Sequence, residues 1–192
     1  MTETMLPPDA PPLMRVSCER YHALIKSGGL TEDDRIELIN GYLVTKMSIG
    51  PNHSSVRTRL ERLLNRLIGE EWLVRGQEPI TIHEYSEPEP DIVVARFRED
   101  FYAKAHPQPE DILLVIEVAD TSLAFDRNAK IPLYASCGIV ESWLVDLVQR
   151  EVTVYQQPAG ASYARQAVYR AGDSLPLPGV SGAVIAVADL GL

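Results

Sequence analysis

Ile112-Leu113-Leu114-Val115-Ile116-Glu117-Val118-Ala119 is an almost unbroken apolar run with one ionisable side chain near its end. Its length and its β-branched content read as a strand of the interior. A carboxylate at Glu117 must shed water there, which costs several kcal/mol unless a cation or a hydrogen-bonding partner compensates it. Upstream, Pro90-Asp91 leads into Ile92-Val93-Val94, a second apolar strand with a carboxylate at its edge. If the two strands are neighbours, Asp91 and Glu117 converge at one end of a sheet and can share a cation. Lys130 follows in a stretch that reads as a helix. The chain thus offers two acids and one ammonium in an order that suits metal-assisted hydrolysis.

Working outward, Ser17 to Lys26 predicts a short helix with Ser17 as N-cap and Gly28-Gly29 ending it. Ile36–Ile39 and Tyr42–Val44 flank Asn40-Gly41, the strongest short hairpin signal, which puts Glu37 on a strand. Val56, Leu60, Leu63, Leu64 and Leu67 recur at helical spacing and predict a helix from Asn52 to Ile68, with Gly69 as its C-terminal glycine. Trp72–Arg75 and Glu78–His83 read as a strand pair, and Asp91–Phe97 and Asp111–Ala119 as two further strands. The charged, proline-containing interval 98–110 reads as a surface connection. Helix returns over Ser122–Cys137, stopped by Gly138, with a kink expected at Pro132. Strands at Glu141–Asp146 and Glu151–Tyr155 follow, and the segment from Tyr163 onward reads as one or two short strands, turns and an apolar tail at Val184–Val187. Trp143 reads as core packing or a dimer contact.

The 192 residues suffice for one domain with a real core, expected over 14–192. Residues 1–13, with Pro7, Pro8, Pro11 and Pro12, read as a flexible arm without the pattern of a signal peptide. No stretch approaches the roughly 20 apolar residues of a membrane span. Cys18 and Cys137 are too few for a disulfide framework, so a reducing cytoplasm is expected. The net charge of -9 argues against a broadly basic nucleic-acid binder, although a local basic face is compatible with it. Arg59, Arg62 and Arg66, at spacings of three and four on the predicted long helix, are the candidate stripe for a phosphate backbone, interrupted by Glu61. Read blandly, they are a solvated face with local ion pairs.

Asp126, Lys130 and Tyr134 are spaced four apart, so an unbent helix would present all three on one face. Taken singly, Asp126 reads as a helix N-cap or a partner for Arg127, and Tyr134 as a core residue whose hydroxyl reaches the edge of the site. Together, Pro90-Asp91, Ile116-Glu117-Val118, Lys130-Ile131-Pro132-Leu133-Tyr134-Ala135 and Gly138 through Asp146 resemble the restriction-endonuclease-like proteins of the Uma type. These are a branch of the PD-(D/E)XK nuclease superfamily abundant in cyanobacteria. The resemblance covers about Glu37 to Tyr155. It implies an α/β restriction-endonuclease-like fold, a mixed central sheet flanked by helices with an N-terminal helix and β-hairpin. It also implies a divalent metal at Asp91 and Glu117; their oxygen ligands suit Mg²⁺, for which Mn²⁺ can substitute, with the Val118 carbonyl as a candidate third oxygen. The activity it implies is phosphodiester hydrolysis, with DNA as the expected substrate and a homodimer as one arrangement for cutting both strands. Glu37 resembles the family's early acidic residue, Asn52-His53 its helix-start motif, and Gln77, before Glu78 at a strand start, is placed near the site. One departure stands out. The superfamily's usual lysine lies two residues after the glutamate, and here that position is Ala119. Its role would pass to Lys130. If it does not, the alternative is a catalytically inactive nucleic-acid-binding or interaction domain that retains the fold.

Overall fold

A computed structural model describes residues 13–192, so the expected N-terminal arm, apart from Leu13, lies outside the described residues. The first helix, α1 (Cys18–Lys26), starts at Ser17, whose side chain accepts a hydrogen bond from the Arg20 N–H. A hairpin follows: β1 (Ile36–Ile39) and β2 (Tyr42–Thr45) pair antiparallel through Asn40 at φ 50° and Gly41 at φ 83°. Both central residues of that turn take the left-handed conformation that matches the strand twist. Next, α2 (Pro51–Leu67) begins at Gly50 with Pro51 in its first turn. It buries His53, Val56, Leu60 and Leu64 along one stripe. Gly69 is not the left-handed terminator expected of it. Ile68 ends the helix in extended conformation, and Gly69 is absent from the glycines with positive φ.

The central sheet holds β3 (Trp72–Gly76), β4 (Ile92–Arg96), β5 (Ile112–Ala119), β6 (Glu141–Asp146), β7 (Glu151–Ala159) and β8 (Ser162–Arg170), side by side in that order. Every neighbouring pair is antiparallel except β5 and β6, which run parallel. The sheet is therefore mixed, and β4 and β5 are neighbours as the placement of the two acids requires. The apolar run of β5 follows from burial on both faces. Leu114, Ile116 and Val118 pack with the α2 leucines in one core, while Val115 and Ala119 pack on the opposite face with Ile131, Leu133 and Tyr134. By the two-residue alternation of a strand, Glu117 shares the face of Val115 and Ala119.

A parallel pair needs a long crossover, and the chain between Ala119 and Glu141 supplies it. It contains α3 (Leu123–Phe125), a π-helical turn (Asp126–Lys130) and α4 (Ile131–Ser136), ended by Gly138 at φ 83°. In place of the simple kink expected at Pro132, the helix widens just before the proline: the Ile131 N–H donates to the Asp126 carbonyl, five residues back. This crossover lies over the face of β5 that carries Glu117.

Two further expectations are corrected. Glu78–His83 is not a ladder strand and does not pair with β3. Ile80 and Ile82 are buried, but their N–H groups donate to the Pro88 and Ser86 carbonyls, and β3 pairs with β4 instead. The C-terminal part carries more sheet than expected: the nine-residue β8, and a small antiparallel pair of β9 (Ser174–Pro176) and β10 (Val184–Ala186). Trp143 is core packing, the first of its two expected roles: it is fully buried, its indole N–H donating to Glu141 Oε1 at 2.6 Å. Among the described residues no helix is long and apolar enough to cross a membrane.

Candidate active site

Glu117, near the end of β5, is 3% exposed. The Tyr134 hydroxyl donates to its Oε1 at 2.5 Å, and the Lys130 ammonium lies 3.3 Å from the same oxygen. Lys130 is also 3.1 Å from Glu37 Oε2 on the hairpin, and that oxygen accepts the Glu89 N–H at 3.0 Å. One buried ammonium thus ties together β1, β5 and the crossover helix. Asp91 sits just before β4, where its Oδ2 accepts the Val118 N–H at 2.8 Å and lies 3.1 Å from His53 Nε2. These contacts leave Asp91 Oδ1 and Glu117 Oε2 without a hydrogen-bond donor among the described residues.

The backbone contributes an oxygen as well. Along a strand, successive residues turn their N–H and C=O groups to opposite edges. The Ala119 carbonyl accepts from Leu147 on the β6 side, so the N–H and carbonyl of Val118 both face the β4 side, where Asp91 already holds the N–H.

Charge balance sets the electrostatics. Burial raises the Glu117 carboxyl well above the usual carboxylate range; Lys130 opposes this, Asp126 and Asp91 add to it, and the Tyr134 hydrogen bond opposes it. Burial also lifts Asp126 to about 6, against the pull of Lys130 and of a hydrogen bond from the Ser122 side chain. For Lys130, burial works against the ammonium, but Glu117, then Glu37 and Asp126, outweigh it and hold its pKa above the ordinary lysine value. Burial and the adjacent Glu117 charge push the Tyr134 phenol well up, so it stays a neutral donor.

Eight of the residues singled out in the sequence line one cavity of about 600 Å³: Glu37, His53, Gln77, Asp91, Glu117, Val118, Asp126 and Lys130. Tyr134 reaches it through Glu117. Gln77 stands at the end of β3 rather than at a strand start, with φ 53° and its N–H donating to the Asp91 carbonyl at 3.1 Å. Asp126 is neither an N-cap nor the partner of Arg127. It lies inside the π-helical turn, 4% exposed, while Arg127 faces Asp146 at 3.9 Å. Arg59, Arg62 and Arg66 are exposed on α2 and do not line the cavity. Sequence reasoning missed Arg35, Lys46 and Glu89, which do. The only local hint for Glu89 is its place between Pro88 and Pro90, which keeps it extended beside Asp91; nothing local marks the two cations.

Among the described residues no three His, Cys, Asp or Glu side chains are gathered into a metal cluster. The free oxygens are instead two carboxylate atoms and one carbonyl. That set fits Mg²⁺, which takes oxygen, uses one or two carboxylates and keeps several waters, and it does not fit an ion that needs a full cage of side chains. The excess of buried carboxylates over the single Lys130 also favours a further cation.

Comparison with known proteins agrees with this architecture. The profile of the Uma2 family, described as "Putative restriction endonuclease", matches residues 18–188. No curated protein matches the chain. Among solved structures, the chain is similar to a protein from Anabaena variabilis ATCC 29413 described as a "putative nuclease belonging to DUF820". The identity is 18% and the TM-score 0.70, over 91% of this chain and 97% of that one. At that identity the likeness bears on the fold, which the two share.

Proposed function

The chain belongs to the Uma2 family, and from that premise and the buried acid cluster we propose that residues 14–192 form one restriction-endonuclease-like domain that hydrolyses DNA phosphodiester bonds with Mg²⁺. The observation that carries the reading is Lys130, held between Glu37 and Glu117 beside a pinned Asp91. Asp91, Glu117 and the Val118 carbonyl would hold the metal, which when bound supplies a Lewis acid for the phosphate and acidifies water. The protein's own groups do the rest. Tyr134 and Lys130 engage Glu117 Oε1 and keep Oε2 free. The Val118 N–H and His53 fix Asp91 through Oδ2 and keep Oδ1 free. Lys130 stays an ammonium across the working pH range, so its part is to orient water and offset charge growing on the phosphate, not to accept a proton. Cys18 and Cys137 are both free, which suits a reducing cytoplasm.

Purified protein is incubated with plasmid and Mg²⁺ or Mn²⁺. Cleavage is expected from the wild type and not from Glu117→Ala; equal cleavage by both, or none under either metal, would overturn the reading. Ala119 at the usual lysine position favours a second reading, a non-catalytic nucleic-acid-binding or interaction domain. Calorimetric titration with Mn²⁺ separates the two, since a site lost in Asp91→Ala is expected only of the first.

A further inference from the structure

We propose that an unpaired stretch of DNA reaches the cavity across the hairpin and the β2–α2 connection, its phosphates met by Arg35 and Lys46 and its bases lying against Met47 and Ile49. The inference rests on the nuclease reading for its chemistry but on separate residues for its path. Three cations line the cavity: Arg35, Lys46 and Lys130. Lys130 is buried and engaged by two carboxylates, so its charge serves the reacting phosphate and not the path by which the strand approaches. Lys46 is partly exposed and lies 2.6 Å from Glu89 Oε2, which damps its charge without removing it. Arg35 is exposed and has no carboxylate within ion-pair distance among the described residues. Its Nη2 donates to the Met47 carbonyl at 3.0 Å, so the same guanidinium fixes the segment beside it. Arg35 also holds φ 49°, a left-handed conformation that non-glycine residues adopt at a cost and that clusters at ligand clamps.

That segment carries a second signal. Met47 is 50% exposed and Ile49 41%, two large apolar side chains lining the same cavity mouth as the cations. Phosphate gives apolar groups no reason to be there, whereas the faces of unstacked bases do. The acids are almost fully buried, and a sphere of about 600 Å³ would be only about 10 Å across, too narrow for a double helix, whose major groove alone is roughly 12 Å wide. A whole duplex cannot descend to Glu117, but one strand can. The arginine stripe of α2 is not on this path, because Arg59, Arg62 and Arg66 do not line the cavity.

The test is fluorescence anisotropy of labelled oligothymidylate and of a hairpin duplex of equal nucleotide count, with the full chain and Ca²⁺ at several salt concentrations. Single-strand binding is expected to be at least tenfold tighter than duplex binding. Arg35→Gln/Lys46→Gln should weaken it at least tenfold and flatten the salt dependence by roughly 1.4 in log–log slope, about 0.7 for each lost phosphate contact. Met47→Ser/Ile49→Ser should weaken it with the slope unchanged, and Glu89→Gln, which frees Lys46, should tighten it. Arg59→Ala/Arg62→Ala/Arg66→Ala should leave it unchanged. Thermal melts of each variant guard against misfolding, and the tightening in Glu89→Gln cannot come from damage. Tighter binding of duplex or of oligouridylate, loss of binding only in the α2 variant, or no binding at all would overturn the proposal. Cleavage of the same oligothymidylate with Mn²⁺ is scored separately. Binding by this path without cleavage would count against the nuclease reading and leave the strand path standing.

Discussion

Replacing Lys130 by methionine keeps the stem and removes the ammonium, leaving Glu37 and Glu117 to face each other without a cation. Their side chains are 4% exposed and that of Lys130 7%, so water cannot take its place. Breaking a buried ion pair by removing one partner costs about 3–5 kcal/mol. For a chain of this size that lowers the melting temperature by roughly 6–20 °C, at about 2–4 °C per kcal/mol. The sign of the pH dependence follows from the two shifts. Glu117 has its folded pKa raised, so its contribution is fully present below the ordinary glutamate value of 4.5 and is lost as pH rises through the folded one. Lys130 also has its folded pKa raised, so its contribution is fully present below 10.5, and pH 5–8 lies inside that window. Without Lys130, the strongest pull holding Glu117 ionised is gone and its pKa rises further. The deficit of Lys130→Met relative to the wild type is therefore larger at pH 8 than at pH 5, where Glu117 can take up a proton instead. Urea melts of both proteins at the two pH values measure this. A deficit under about 1 kcal/mol at pH 8, or the same deficit at both, would refute the reasoning.

Glu117→Gln removes a charge that burial disfavours, so it should melt later than the wild type at pH 8 by about 1 kcal/mol of stability while losing Mn²⁺ binding in calorimetry; a less stable variant would contradict this. Tyr134→Phe deletes a donor to a buried carboxylate and should cost about 1.5–3 kcal/mol in the same urea assay, with little loss meaning that the 2.5 Å contact is not a strong one. His53→Leu should weaken Mn²⁺ about 10–100-fold by freeing Asp91 to rotate, and His53→Gln should recover part of that through its amide N–H; an unchanged titration would remove His53 from any orienting role.

Local chemistry explains why some of the fold is readable from sequence. Asn40-Gly41 needs two left-handed residues in a row, a demand the dipeptide advertises, and the hairpin is where it was expected. The β5 run is legible because covering both faces of a strand leaves no polar alternation. By contrast, β8 is Ser-Tyr-Ala-Arg-Gln-Ala-Val-Tyr-Arg at the outer edge of the sheet, largely exposed, and its strand state comes from its long pairing with β7. No periodicity within those nine residues reports a partner. Ile80 and Ile82 mislead the other way: their alternation is real, but it points them into a core under a loop, with no ladder to join.

The site shows the same division. Asp126 obeys the local rule for an N-cap, yet it is buried because the chain widens into a π-helical turn just ahead of Pro132, which has no N–H to offer the preceding turn. The same turn puts Lys130 against Glu117 and Glu37, so one irregularity assembles the acid–ammonium cluster. Ala119 then has a physical reading beyond being a departure from pattern. It is fully buried and packs in the same core as Ile131, Leu133 and Tyr134 on the face that also carries Glu117. A long side chain at 119 would have to displace that helix, and the helix is what delivers both the Tyr134 hydroxyl and the Lys130 ammonium to Glu117 Oε1. Small residue on the strand and cation on the crossover are therefore one arrangement, and Ala119→Lys is not a repair of the site but a steric challenge to it.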